Sequence, residues 1–235
     1  MPGKTLVILG SGPGIGVAIA SNFSVRGFTH VALVSRDKQR LAKDQDQVLD
    51  AIQERGYSCQ VKVWPCDLGD LSKLNATLKE LENFGTLECV VFNAARVAGK
   101  VPLEESTEQI EADFRLTNLA LYETAKWAIP ILRKQSSADE SLSPSFFVTS
   151  TTSLWREPEP SLVALSMVKS AQRALVLSLH HYFGKEVHVA LVSVGGVVSP
   201  EKTNLSPENI AEQAYVLYKQ RRGNWEREVE IPDDQ

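Results

Sequence analysis

Seven short apolar runs recur along the 235-residue chain, separated by segments with helical periodicity. The runs are TLVILG (5–10), HVALVS (30–35), QVKVWP (60–65), LECVVFN (87–93), SFFVTS (145–150), VHVALVS (187–193) and EVEI (228–231). Most are apolar at successive rather than alternate positions, the pattern of strands buried on both faces. Strands of this kind alternating with helices imply an α/β fold: a doubly wound parallel sheet of about seven strands, in the order 3-2-1-4-5-6-7, with helices on both faces. The length suits one domain spanning residues 1–235. The longest helical pattern is a double one from Thr107 to Lys134, in which Pro130 is expected to kink or restart the helix. Pro158 and Pro160 mark a loop before a helix from Ser161.

Charge and cysteine usage exclude several classes. The 25 basic and 29 acidic residues give a net charge of −4, and the basic ones are dispersed, so nothing offers the clustered positive charge that nucleic acid requires. Cys59, Cys66 and Cys89 have no metal-ligand spacing and are odd in number, which suits a reducing compartment. The N-terminus runs straight into a strand without a leader pattern, and no window approaches the about 18 apolar residues of a membrane span. The expectation is a cytoplasmic protein with no membrane or nucleic-acid partner.

The first strand ends in G-S-G-P-G-I-G, followed at once by a helix. Gly10, Gly14 and Gly16 allow a tight turn and a close approach of backbone to a pyrophosphate at a helix N-terminus, where free N–H groups and the dipole favour an anion. The turn as a whole, Gly10, Ser11, Gly12, Gly14, Ile15 and Gly16, is the candidate dinucleotide cradle of a Rossmann-type domain; the other reading is a glycine-rich turn without a ligand. The second strand ends at Ser35-Arg36-Asp37. An arginine there suits the 2′-phosphate of NADP(H), whereas Asp37 facing the ribose would suit NAD(H).

Together with Asp67-Leu68 after strand three, Asn93-Ala94-Ala95 after strand four, Asn118 in the fifth helix and Lys169 in L-S-M-V-K-S-A, these motifs resemble the short-chain dehydrogenase/reductase family along nearly the whole chain. The resemblance implies that Asp67 and Leu68 hold the adenine and that Asn93 stabilises the sheet beside the cofactor. It implies further that Asn118 orders a water in a proton relay and that Lys169 binds the nicotinamide ribose. In V-T-S-T-T-S after strand five, Ser150, Thr151 and Thr152 are candidates for the assisting hydroxyl. Gly195-Gly196 stands where the family commonly has Pro-Gly, which leaves a more flexible nicotinamide contact, and 197–206 is too short for a helical lid.

The family motif is Y-x-x-x-K, and four residues before Lys169 stands Leu165, so the resemblance implies a site without its phenolic acid. General acid catalysis contributes about 10²- to 10⁴-fold. Its absence leaves a cationic acceptor that needs no proton, a substitute acid at Glu157 or Glu159, or no net redox. The expected function is therefore an NADPH-dependent oxidoreductase on a small organic substrate, bulky and from secondary metabolism, with Trp155 and Leu165 at the pocket. The alternatives are a redox-neutral cyclase or isomerase and a non-catalytic NADPH-binding regulator. Association as a homodimer or homotetramer through the two long helices is compatible with their apolar surface.

Overall fold

The computed structural model describes residues 3–138, 142–156 and 159–234. Seven parallel strands form one sheet, in the order β3-β2-β1-β4-β5-β6-β7. They are β1 (Lys4–Leu9), β2 (His30–Ser35), β3 (Gln60–Pro65), β4 (Thr86–Phe92), β5 (Ser145–Thr151), β6 (His188–Val194) and β7 (Glu228–Ile231). The chain winds outward from β1 to β3, then returns to place β4 on the other side of β1. That reversal opens a crevice at the carboxyl ends of β1 and β4, where α/β sheets of this kind bind ligands.

Side-chain alternation along the strands builds two cores. Leu6, Ile8, Val31 and Leu33 face α1 (Ile15–Ser24), α2 (Lys38–Glu54) and α8 (Pro207–Tyr218). Val7, Leu9, Val90 and Phe92 face α3 (Leu71–Leu81), α5 (Ala120–Ala138) and α7 (Val163–Phe183). The edge strand β3 alternates instead, with Lys62 exposed and Pro65 at its end, a pattern that discourages further pairing. On the first face Phe23 packs within 5.3 Å of Phe28 and 5.2 Å of Tyr215, joining α1 to α8.

Three local expectations change. Pro130 does not restart a helix: α5 runs through it, and the interruption falls earlier, at a π-turn over Arg115–Leu119 between α4 (Thr107–Phe114) and α5. There Ala120 N–H donates to Arg115 O, one residue further back than an α-helix would take it. The helix expected from Ser161 starts at Val163, after a 3₁₀ turn at Pro160–Leu162 that Glu159 caps by accepting from Ser161 N–H. Pro158 and Glu157 lie outside the described residues. Finally, by length and composition Pro160–Phe183 is apolar enough to cross a membrane, with a mean hydropathy of 1.4 over 18 residues. In the fold this stretch lies against β5 and β6 and carries the buried polar residues Lys169 and Gln172.

At the opposite end of the sheet from the crevice, His188 opens β6 fully buried, stacked on Trp225 with ring centroids 5.1 Å apart. Burial pushes its pKa down to about 4 from 6.5. The folded state therefore binds this proton more weakly than the unfolded chain does, so stability falls as pH drops from 6.5 toward 4. We expect a loss of about 3 kcal/mol from this group across that window. Urea unfolding measured at a series of pH values should show it, and His188→Gln should flatten the dependence.

Candidate active site

The glycine turn leaves β1 through Gly10, whose φ is +93° and whose missing side chain would strike the Ala94 backbone at 2.5 Å from its nitrogen. Only glycine fits there, and this close approach locks the turn to the end of β4. Gly16 is similarly crowded, with Gly10 O 3.2 Å from an added Cβ. Gly14, at the N-cap of α1, has nothing within 4 Å of such a Cβ, so the N-terminus of a ten-residue helix faces open space. Ser11 is turned inward: its N–H donates to Val34 O and its hydroxyl donates to the buried Asp44 carboxylate at 2.7 Å. Arg40 crosses the turn, donating to Ser11 O at 3.4 Å beside Gly12. Ile15 begins α1 and packs against the first core.

At the tip of β2, Ser35 is buried and Arg36 is exposed without a partner among the described residues. Asp37 is committed to capping α2, its Oδ1 accepting the N–H groups of Gln39 and Arg40 at 3.0 Å each. Those bonds hold its carboxyl below the usual carboxylate range, Arg40 N–H first among them. Asp67 is exposed, with one oxygen accepting Gly69 N–H at 3.0 Å, and Leu68 is buried in the second core.

A chain of hydrogen bonds runs from the turn across the crevice. Asn93 Nδ2 donates to Gly10 O at 2.9 Å, and its Oδ1 accepts from Thr149 Oγ1 at 2.8 Å. Thr149 O accepts from Lys169 Nζ at 3.0 Å, and the same amine donates to Gln172 Oε1 at 2.9 Å. Lys169 is buried, which pushes its pKa down to about 8. Four residues earlier, Leu165 is buried in a small apolar cluster with Leu154, Leu162 and Val168.

Of the three hydroxyl candidates after β5, Ser150 shares the sheet face of Phe146 and Val148, toward α7, and its Oγ is buried without a partner. Thr151 is hydrogen-bonded to Ser153 at 2.9 Å, and Thr152 is buried with its N–H donating to Val194 O. Asn118 lies in the π-turn rather than in the fifth helix, with both ends of its amide buried and unpartnered. Trp155 belongs to α6 (Ser153–Arg156), and its side chain is outside the described residues.

Gly195-Gly196 packs against the end of β7 and the residues that follow it. A Cβ on Gly195 would meet the backbone at Ile231 O and Asp233 N, each at 2.9 Å, so glycine is required there, while one on Gly196 would displace the Asp233 carboxylate. The segment that follows β7 straps the loop over 197–206. Asp233 pairs with Lys202, and the Asp234 carboxylate accepts the backbone N–H groups of Thr203, Asn204 and Leu205 at 3.0, 2.8 and 3.3 Å.

Residue spacing alone did not single out Arg40, Thr149, Gln172 or the Arg96–Asp113 pair. Arg96 grips Asp113 with two bonds of 2.8 Å and Glu105 with a third, fixing the loop after β4 to α4. Gln172, three residues after Lys169 and so on the same helix face, was the one with a readable signal.

A family model described as short chain dehydrogenase matches residues 4–210. The chain belongs to the short chain dehydrogenase family. It is 25% identical over 234 residues to hydroxysteroid dehydrogenase-like protein 2 of Rattus norvegicus, covering 93% of this chain but 43% of that protein, so the chain spans less than half of that relative. It is 25% identical over 217 residues to the uncharacterized oxidoreductase YhdF of Bacillus subtilis, covering 91% of this chain and 70% of that one. A metagenomic short-chain oxidoreductase solved in complex with NADP superposes with a TM-score of 0.82 at 21% identity, covering 99% of this chain and 97% of the other.

The strap carries its own test. In Asp234→Ala three backbone donors lose their acceptor, and hydrogen exchange at Thr203, Asn204 and Leu205 should accelerate by about tenfold or more, while exchange in β5 and β6 stays as in the parent protein.

Proposed function

We propose that the chain is an oxidoreductase of this family that binds NADP(H) in preference to NAD(H) and acts on a small organic substrate. The observation that carries the cofactor preference is at the tip of β2: Asp37 spends its carboxylate on the cap of α2, and Arg36 stands exposed, its guanidinium unpaired among the described residues. A guanidinium recognises a phosphate through paired, charge-assisted bonds. The open N-terminus of α1 at Gly14 suits the pyrophosphate, and the free oxygen of Asp67 suits an adenine amino group. The metagenomic relative solved with NADP is consistent with this reading. The residues present thus fit a nicotinamide dinucleotide, which when bound supplies or accepts hydride.

On the substrate side, Ser150 Oγ and the Asn118 amide are buried polar groups with no partner among the described residues. Such groups cost about 1–3 kcal/mol each unless something satisfies them. We assign Ser150 to a substrate oxygen and Asn118 to an ordered water that relays protons from Lys169. Leu165 offers no proton, which also favours a second reading as a redox-neutral cyclase or isomerase, or as a nucleotide-binding regulator. Exposed Tyr122 on α5 and Met167 on α7 are compatible with a homodimer or homotetramer through those helices.

Calorimetric titration should give tighter binding of NADPH than NADH, and Arg36→Ala should weaken NADPH by about 10- to 100-fold while leaving NADH unchanged. Equal affinities in the parent protein would sink the preference. Incubating candidate carbonyl and imine substrates with NADPH, while following nicotinamide absorbance and product together, separates the readings: product with consumption is reduction, and product without it is redox-neutral catalysis.

Leu165→Tyr should raise turnover on simple ketones by 10-fold or more, about what a general acid contributes. Because Leu165 already fills its cluster with Leu154 and Val168, the larger ring should cost about 1–3 kcal/mol in a thermal melt.

A further inference from the structure

Gln172 is fully buried on α7, one turn beyond Lys169, and only one end of its amide is satisfied. Oε1 accepts from Lys169 Nζ, and Nε2 is buried without a partner among the described residues. An apolar side chain of similar volume would fill this space without stranding a donor. The amide therefore acts on the amine rather than on the packing.

Among the described residues, no charged side chain stands against Lys169. On α7, Arg173 pairs with Glu228 at 2.7 Å. On α4, Asp113 is held by Arg96, and Glu108 and Glu111 are exposed. Arg156 of α6 pairs with Glu230, Arg115 of the π-turn is exposed, and Glu159 before α7 caps Ser161. In β6, His188 is stacked on Trp225, and β5 contains no ionisable residue. Both acceptors of the amine, Thr149 O and Gln172 Oε1, are neutral, and the residue one turn before it is Leu165.

We propose that Gln172 is a positioning residue that holds Lys169 as the proton-carrying group of the site, so that the amine exchanges a proton with the substrate oxygen. This deepens, and rests on, the oxidoreductase reading above. In the step, one N–H bond of the ammonium breaks and an O–H bond forms on an oxygen bearing negative charge, leaving a neutral amine. A glutamine serves both states. Its carbonyl accepts from the ammonium, and after an amide flip its Nε2 donates to the lone pair of the neutral amine. The partnerless Nε2 is the half of the amide that the second state employs. Burial already brings Lys169 down to about 8, where both states are populated near neutrality.

The test uses the full chain with ¹³C-labelled lysine and no cofactor or substrate, following the Lys169 Cε resonance from about pH 6 to 11. Gln172→Glu should raise the proton affinity of the amine about tenfold or more by placing a charge beside it. Gln172→Met, an apolar replacement of similar length, should lower it about tenfold by removing an acceptor from the ammonium. The pH profile of NADPH-dependent turnover should move in the same two directions. An unchanged midpoint in both folded variants overturns the positioning role. A moved midpoint with an unmoved turnover profile overturns Lys169 as proton carrier. Absence of any NADPH turnover would sink the oxidoreductase reading and the proton-carrying step with it, while the titration still decides whether Gln172 governs Lys169.

Discussion

The side-chain amide of Asn93 ties the crevice together. Parallel strands that have left their ladder present backbone groups that need partners, and at the mouth of this sheet one residue satisfies such a group on one side and a side-chain hydroxyl on the other. Its Nδ2 holds the carbonyl that begins the glycine turn, and its Oδ1 holds Thr149, whose own carbonyl holds Lys169. β1, β4, β5 and α7 thus meet through three consecutive bonds. The positions of the helix N-terminus and of the buried amine are therefore not independent.

Around that chain the protein leaves polar atoms without partners. Thr117 Oγ1, both ends of Asn118, Ser150 Oγ and Gln172 Nε2 are buried and unpaired. Thr117 and Asn118 come from the π-turn, whose extra residue per turn rotates them off the face that a regular helix would present. Away from the crevice Asn22 Oδ1, Glu88 Oε2, Ser136 Oγ and His188 Nδ1 also lack partners among the described residues, although Glu88 Oε1 accepts from Tyr218 and Ser143 at 3.0 Å each. A site that spends stability in this way reserves donors and acceptors for something not made of its own chain.

The sheet order and the glycine turn were legible because each rests on local sequence: apolar runs of strand length, and glycines at one strand end. The places where sequence misled were those where a distant segment decides. Pro130 looked like the break in the long helix, yet the break is the π-turn over Arg115–Leu119, which packs against α7. Gly195-Gly196 looked like flexibility, yet Ile231 and Asp233 fill the space that side chains would occupy. Arg36 was already favoured over Asp37 in sequence, and the cap of α2 adds what sequence could not show, the commitment of the Asp37 carboxylate. Leu165 was readable as a departure from the family motif, but its packing with Leu154 and Val168 was not.

The strap of Asp233 and Asp234 across 197–206 joins two stretches about thirty residues apart into one unit. Engineering a new specificity by grafting the loop after β6 from a relative would therefore transplant half a structure. The incoming loop would arrive without the carboxylates that shape it, and any side chain at position 196 would evict Asp233 from its seat. In this protein the exchangeable module is the loop together with the chain that leaves β7.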